Sequence, residues 1–291
     1  MPHQLDRRSF LQATGSLLGA LGLAPGSLWS ADKDSSEGMK LGLVTYNWGK
    51  DWDIPTIISN CEQTKFSGIE LRSTHKHGVE ISLSPLQRTE VRKQFDGSAV
   101  ELVGLGSACE YHSPDSTVLK NNIEETKAFV RLCRDVGGTG VKVRPNGLPS
   151  DIPVPKTLEQ IGRALNEVAQ DAADFGVEIR LEVHGRGTSE LPHIKTITDH
   201  ADHPNAVVCW NCNPTDLQGD GLAANFALVS DRIGTVHIHD LRTDAYPWQQ
   251  LFGLLKQARF SGWTLLEEGK VPDDIVGTMA ENRKVWDAFM H

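Results

Sequence analysis

The run V-E-I-R-L-E-V-H-G, Val177 to Gly185, sets a carboxylate and an imidazole two residues apart, Glu182 and His184. Strict alternation puts these two, with Arg180, on one face of an extended segment and Ile179, Leu181 and Val183 on the other. Amphipathic helical patterns flank the segment, and a strand between covering helices is buried on both faces, so the ionisable face points into a lined interior. Buried carboxylates and imidazoles need partners, and a site of acid-base chemistry is the usual reason for keeping them. Other apolar segments close in the same way, with Glu70 and Arg72, Lys142 and Arg144, Asn211 and Asn213, His237 and His239, and the adjacent pair Glu267 and Glu268. Of these charges, Glu70 and Arg72, together with Arg180, read as internal ion pairs that fill space.

The elements that must position these residues alternate along the chain. Strands are expected over Met39–Tyr46, Gly68–Ser73, Val100–Ser107, Val141–Arg144, Val177–Gly185, Ala206–Cys212, Thr235–Leu241 and Trp263–Glu268. A helix is expected after each: Asp53–Phe66, Ser84–Phe95, Ser116–Val136, Lys156–Phe175, Ser189–Ala201, Leu222–Ile233, Pro247–Phe260 and Asp273–Met290. Eight such units over about 250 residues predict an α/β fold, a single (β/α)8 TIM barrel. The competing doubly wound sheet lacks its phosphate loop, because Asn47-Trp48-Gly49-Lys50 has neither the GxGxxG nor the Walker form. In a barrel, chemistry belongs at the C-terminal ends of the strands, which is where the polar pairs stand. His75, His77 and His112 fall in loops, and His200 and His203 read as solvated surface.

Composition narrows the partners. At 291 residues with ordinary apolar and charged fractions, the chain is neither disordered nor a polytopic membrane protein. A formal net charge of -9 disfavours a nucleic-acid binder, which needs a basic face, and suits neutral ligands or ligands held through a cation. Cys61, Cys109, Cys133, Cys209 and Cys212 form no disulfide framework, and the CxxC spacing of Cys209 and Cys212 falls where a buried strand is expected.

Arg7-Arg8-Ser9-Phe10-Leu11-Gln12, followed by the apolar run Leu17 to Leu23 and Ala24-Pro25-Gly26, resembles a twin-arginine export signal. Residues 1–38 are therefore expected to be signal and linker, and residues 39–291 the barrel. The apolar run is too short for a permanent transmembrane span. The implied partner is the twin-arginine translocase and the implied location periplasmic or otherwise exported, membrane-tethered if the signal is retained. Such substrates travel folded, commonly with a cofactor already bound.

L-E-V-H-G at the fifth strand, C-W-N-C-N at the sixth, V-H-I-H-D at the seventh and L-L-E-E-G at the eighth together resemble the site strands of the xylose isomerase-like barrel superfamily, over residues 39–291. That superfamily includes sugar epimerases, hydroxypyruvate isomerases, inosose dehydratases and apurinic endonucleases. The resemblance implies one divalent cation (manganese, magnesium, cobalt or zinc) held by Glu182, Asn211, His237 and Glu267. Glu267 is preferred to Glu268 on that resemblance alone. Glu182 and Glu267 are the implied catalytic acid-base pair, with His184 and His239 orienting hydroxyls and Arg144 or Lys142 holding a negative oxygen. Asn211 departs from the family pattern, which has an aspartate there, and brings an amide oxygen without charge. The expected activity is a metal-dependent isomerase or epimerase, or a related lyase, acting on a small sugar, polyol or keto-sugar. The alternative is a non-catalytic carbohydrate-binding barrel with a degenerate metal site. A homo-oligomer is compatible with either.

Overall fold

The computed structural model describes residues 38–291, and the expected export signal lies outside the described residues. Eight parallel strands close into a barrel in sequence order. In chain order the elements are β1 (Lys40–Val44), α1 (Tyr46–Gly49), α2 (Ile54–Thr64), β2 (Gly68–Arg72), α3 (Pro85–Asp96) and β3 (Glu101–Glu110). They continue with α4 (Ser116–Val136), β4 (Gly140–Arg144), α5 (Val154–Ala173), β5 (Glu178–Glu182), α6 (Leu191–His200) and β6 (Ala206–Trp210). The last are α7 (Gly221–Ala227), β7 (Ile233–Ile238), α8 (Trp248–Gln257), β8 (Trp263–Leu266) and α9 (Ile275–Met290). Among the described residues no helix is long and apolar enough to cross a membrane.

Local signals start and stop the helices. Ser84 and Gln87 form a reciprocal capping box on α3, with Pro85 at the first helical position. Asp115 caps α4 by accepting from the amides of Thr117 and Val118, and Gly137, at φ 93°, ends it in the left-handed conformation that glycine takes most readily. The sixth connection departs from the expected helix Leu222–Ile233. α7 stops at Ala227, a short 3-10 turn covers Ser230–Arg232, and Ile233 already belongs to β7. Arg232 causes the turn to dock, because its Nη1 donates to the carbonyls of Ala201, His203 and Ala206 at the entry to β6.

Alternation along the strands produces two apolar regions of different size. Leu41, Leu43, Ile69, Leu71, Val141 and Val143, with their counterparts on later strands, pack outward against the helices in the large core. Val44, Val103, Trp263 and Leu265 form a small separate cluster inside the barrel, with Tyr46 packed against it. Two large side chains close its lower end. A Cβ on Gly68 would sit 2.4 Å from the Trp263 ring, and one on Gly140 would sit 2.2 Å from the Arg180 guanidinium, so both glycines leave the room those groups fill. Arg180 is satisfied there by Val103 O, Thr139 Oγ1 and Glu178 Oε2. Its expected role as an internal ion pair is what the barrel uses it for. Above that floor, the ionisable side chains of the upper layer come from the C-terminal ends of the strands.

Candidate active site

β4, β5, β7 and β8 deliver Lys142, Glu182, His237 and Glu267 to one buried cluster above that floor. Lys142 and Glu182 are each 2 % exposed and His237 is fully buried. Glu182 is two-handed. Its Oε2 accepts from Lys142 Nζ at 2.7 Å, while its Oε1 lies 3.7 Å from His237 Nδ1. The same nitrogen lies 3.2 Å from Glu267 Oε2. On the far side of the ring, His237 Nε2 lies 3.5 Å from Glu70 Oε1. Glu70 is therefore an internal charge, as expected, but its neighbour is the histidine of the site rather than Arg72.

Charge balance explains how so many ions share a dry space. Burial opposes ionisation of Glu182, and the adjacent Lys142 ammonium, helped by His237, overrides it and holds the carboxyl well below the usual carboxylate range. Burial likewise works against the Lys142 ammonium, and Glu182, Glu267 and Glu70 raise its pKa in spite of it. The His237 imidazole loses charge stability to burial and regains more from Cys209, Glu267 and Glu70, which drive its pKa up. Glu70 follows the same rule, burial raising it and His237 lowering it further.

Glu182, His237 and Glu267 each offer a ligand atom, and these atoms lie within 4.8 Å of one another. Asn211 follows β6 directly. The register that sets Trp210 against Val236 brings it alongside His237, and its buried Oδ1 has no hydrogen-bond partner among the described residues. An unpartnered amide oxygen at the register position next to His237, added to two converging carboxylates and an imidazole nitrogen, makes the donor set a hard or borderline divalent cation takes, so the residues fit such an ion. Glu182, Asn211, His237 and Glu267 are the residues that would hold it.

The neighbouring glutamates divide the work that alternation left open. Glu267 turns inward to His237, whereas Glu268 folds back to accept from the amides of Asp240 and Gly269. His239 donates through Nδ1 to the Glu267 carbonyl at 2.7 Å, which leaves Nε2 as its free-standing polar atom. It borders a cavity of 690 Å³ shared with Trp48, Arg242, Glu268 and Lys270. His184, just past the end of β5, has its Nδ1 2.9 Å from Asn146 Oδ1. Arg144 is committed to Glu110 at 2.6 Å, and Asn146 reaches the same carboxylate oxygen. Arg144, Glu110, Asn146 and His184 thus form one polar wall. Glu110 and Asn146 were missed from the sequence. β3 runs three residues past its expected end, and Asn146 lies in a loop at φ 57°, a conformation asparagine tolerates better than most.

The model of the xylose isomerase-like TIM barrel matches residues 58–287. The chain belongs to this family. Among curated proteins it is similar to the L-ribulose 3-epimerase of Methylomonas sp. (strain DH-1), 21% identical over 257 residues that cover 82% of this chain and 88% of the relative. A solved L-ribulose 3-epimerase superposes with a TM-score of 0.75 at 15% identity, covering 87% of this chain and 94% of the other. A solved IOLI protein with a bound zinc atom gives a TM-score of 0.71 at 16% identity, covering 87% and 96%. At these identities the solved structures speak for the barrel of the family.

Proposed function

We propose that the protein is a sugar isomerase or epimerase that transfers a proton next to a carbonyl of a small sugar, polyol or keto-sugar, with a divalent cation held by Glu182, Asn211, His237 and Glu267. The observation that carries this reading is the convergence of the buried Glu182, His237 and Glu267, whose ligand atoms lie within 4.8 Å of one another. Similarity to sugar epimerases supports the substrate class. A bound cation would supply Lewis acidity, drawing negative charge from the carbonyl oxygen and lowering the cost of removing the neighbouring carbon-bound proton.

The side chains do the rest. Glu182 and Glu267 both approach His237 Nδ1, at 3.7 and 3.2 Å, and are the groups that remove and return the proton. The Lys142 ammonium keeps Glu182 ionised and ready to accept, and a positive charge in a dry site also steadies an oxyanion as it forms. His239 Nε2, past the end of β7, and the His184 ring, past the end of β5, orient hydroxyls. Lys142 favours a second reading as well. An ammonium beside Glu182, together with an amide at position 211, already offsets part of the charge a cation would need, which suits a carbohydrate-binding barrel without metal.

Calorimetric titration of chelator-stripped protein with manganese separates the two. Asn211→Asp, which adds a third negative charge to the donor set, should tighten binding by roughly tenfold or more, and Glu182→Gln should abolish it. Equal binding by wild type and both variants, or no binding by any, would sink the metal site and leave the binding barrel.

A further inference from the structure

Arg72 ends β2 two residues beyond Glu70, so both side chains rise along the same inner face toward the mouth. Gly106 of β3 makes room for them together: a Cβ there would lie 3.1 Å from Glu70 Oε1 and 3.2 Å from Arg72 Cγ. The backbone beneath is clamped, with Arg72 N donating to Thr45 Oγ1 at 2.9 Å and its carbonyl accepting from His77 Nε2 at 2.8 Å. The guanidinium lies 4.9 Å from the centre of the Tyr46 ring, and Tyr46 in turn packs on the interior cluster of the barrel. Among the described residues this stack is its only partner. Arg144, Arg180 and Arg242 are each matched to a carboxylate, on Glu110, Glu178 and Asp240 respectively.

A half-buried guanidinium held by its stem and one face, with its in-plane donors unspent, is arranged to grip a planar or tetrahedral anion through two parallel hydrogen bonds. Glu70, Glu182 and Glu267 in the site below already face Lys142 and His237, so the guanidinium of Arg72 adds a positive charge that no carboxylate among the described residues offsets. We infer that Arg72 binds an anionic substituent of the substrate, a carboxylate or a phosphate, so that the sugar handled at this site is a charged one. This rests on the sugar-directed reading of the same site.

The test is calorimetric titration of manganese-loaded and of chelator-stripped protein with matched probes: D-glucuronate against D-glucose, and D-fructose 6-phosphate against D-fructose. One anion of the two should bind roughly ten- to a hundredfold tighter than its neutral counterpart, and which one does so distinguishes carboxylate from phosphate. The preference should shrink with added sodium chloride, weaken in Arg72→Lys, which keeps charge but not the fork, and vanish in Arg72→Gln. Equal binding of both members of each pair, or none detectable, overturns the inference, as does an anion preference that survives in Arg72→Gln. Should that variant fail to fold by circular dichroism, the Lys variant and the salt dependence of the wild type decide. The outcomes are separable from failure of the proton-transfer reading, because a protein that binds no manganese and moves no deuterium from solvent into a sugar can still show the anion preference when stripped.

Discussion

At the scale of single residues, the site is a set of mutual dependencies rather than independent ligands. Lys142 is tolerable in the interior because Glu182 is there, and the reverse holds equally. Lys142→Met leaves a carboxylate buried without its partner and should cost about 3–5 kcal/mol in urea unfolding of stripped protein. If manganese binds at Glu182 it takes over the missing positive charge, so added manganese should restore more stability to Lys142→Met than it gives wild type. Equal gains in the two proteins would show that ammonium and cation do not share the carboxylate. Asp216 presents the opposite electrostatics. Burial raises its carboxyl to about 7, against the lowering effect of hydrogen bonds from Tyr246 Oη and the Asn213 amide. Between the unfolded value near 3.8 and about 7 the folded protein holds a proton that the unfolded chain has released, so this group favours folding less and less as pH rises through that window. Asp216→Asn, which still accepts both hydrogen bonds, should flatten that decline when urea midpoints are compared from pH 4 to pH 8. A wild-type and variant difference that does not change with pH would remove Asp216 as the cause.

At the scale of elements, each strand has a lower half that packs and an upper half that reacts. Gly140 and Arg180 belong to the lower half, so Gly140→Ala should strain the floor by about 1–3 kcal/mol while leaving manganese affinity unchanged, the first read from urea midpoints and the second by calorimetry. An unaltered midpoint would mean that Arg180 can swing aside despite its three partners. The period-two pattern made this division legible in outline: it placed Glu182, His237 and the outward Ile179, Leu181 and Val183 correctly, because a residue's face in a strand is a local property. It was silent where geometry is set by contacts distant in sequence. Glu267 and Glu268 both follow β8, and only the position of His237 and the amide of Asp240 tell them apart. Arg72 looked like half of an ion pair because Glu70 is so near in sequence, yet the two side chains stand side by side and Glu70 faces His237. Helix ends behaved similarly, for the early stop of α7 depends on carbonyls more than twenty residues upstream of Arg232.

At the scale of the whole molecule, the described residues close their own sheet around their own core. A chain beginning at Met39 should therefore melt within a few degrees of the full-length protein, and Arg7→Lys with Arg8→Lys should keep full-length protein in the cytoplasmic fraction if the twin-arginine reading is right. Failure of the shorter chain to fold, or unchanged fractionation, would count against that division. The architecture was the most legible level, since eight repeats of one pattern leave few alternatives, whereas the substrate depends on a handful of rim contacts. All five cysteines are buried and unpaired, in α2, β3, α4, β6 and immediately after β6, and burial pushes Cys61 and Cys133 to about 12. A thiol that is both shielded and protonated ignores alkylating reagents until the element around it opens. Cys61, Cys109, Cys133 and Cys212 thus serve as internal clocks, and the order in which they are labelled would chart which sectors of the barrel come apart first and how often.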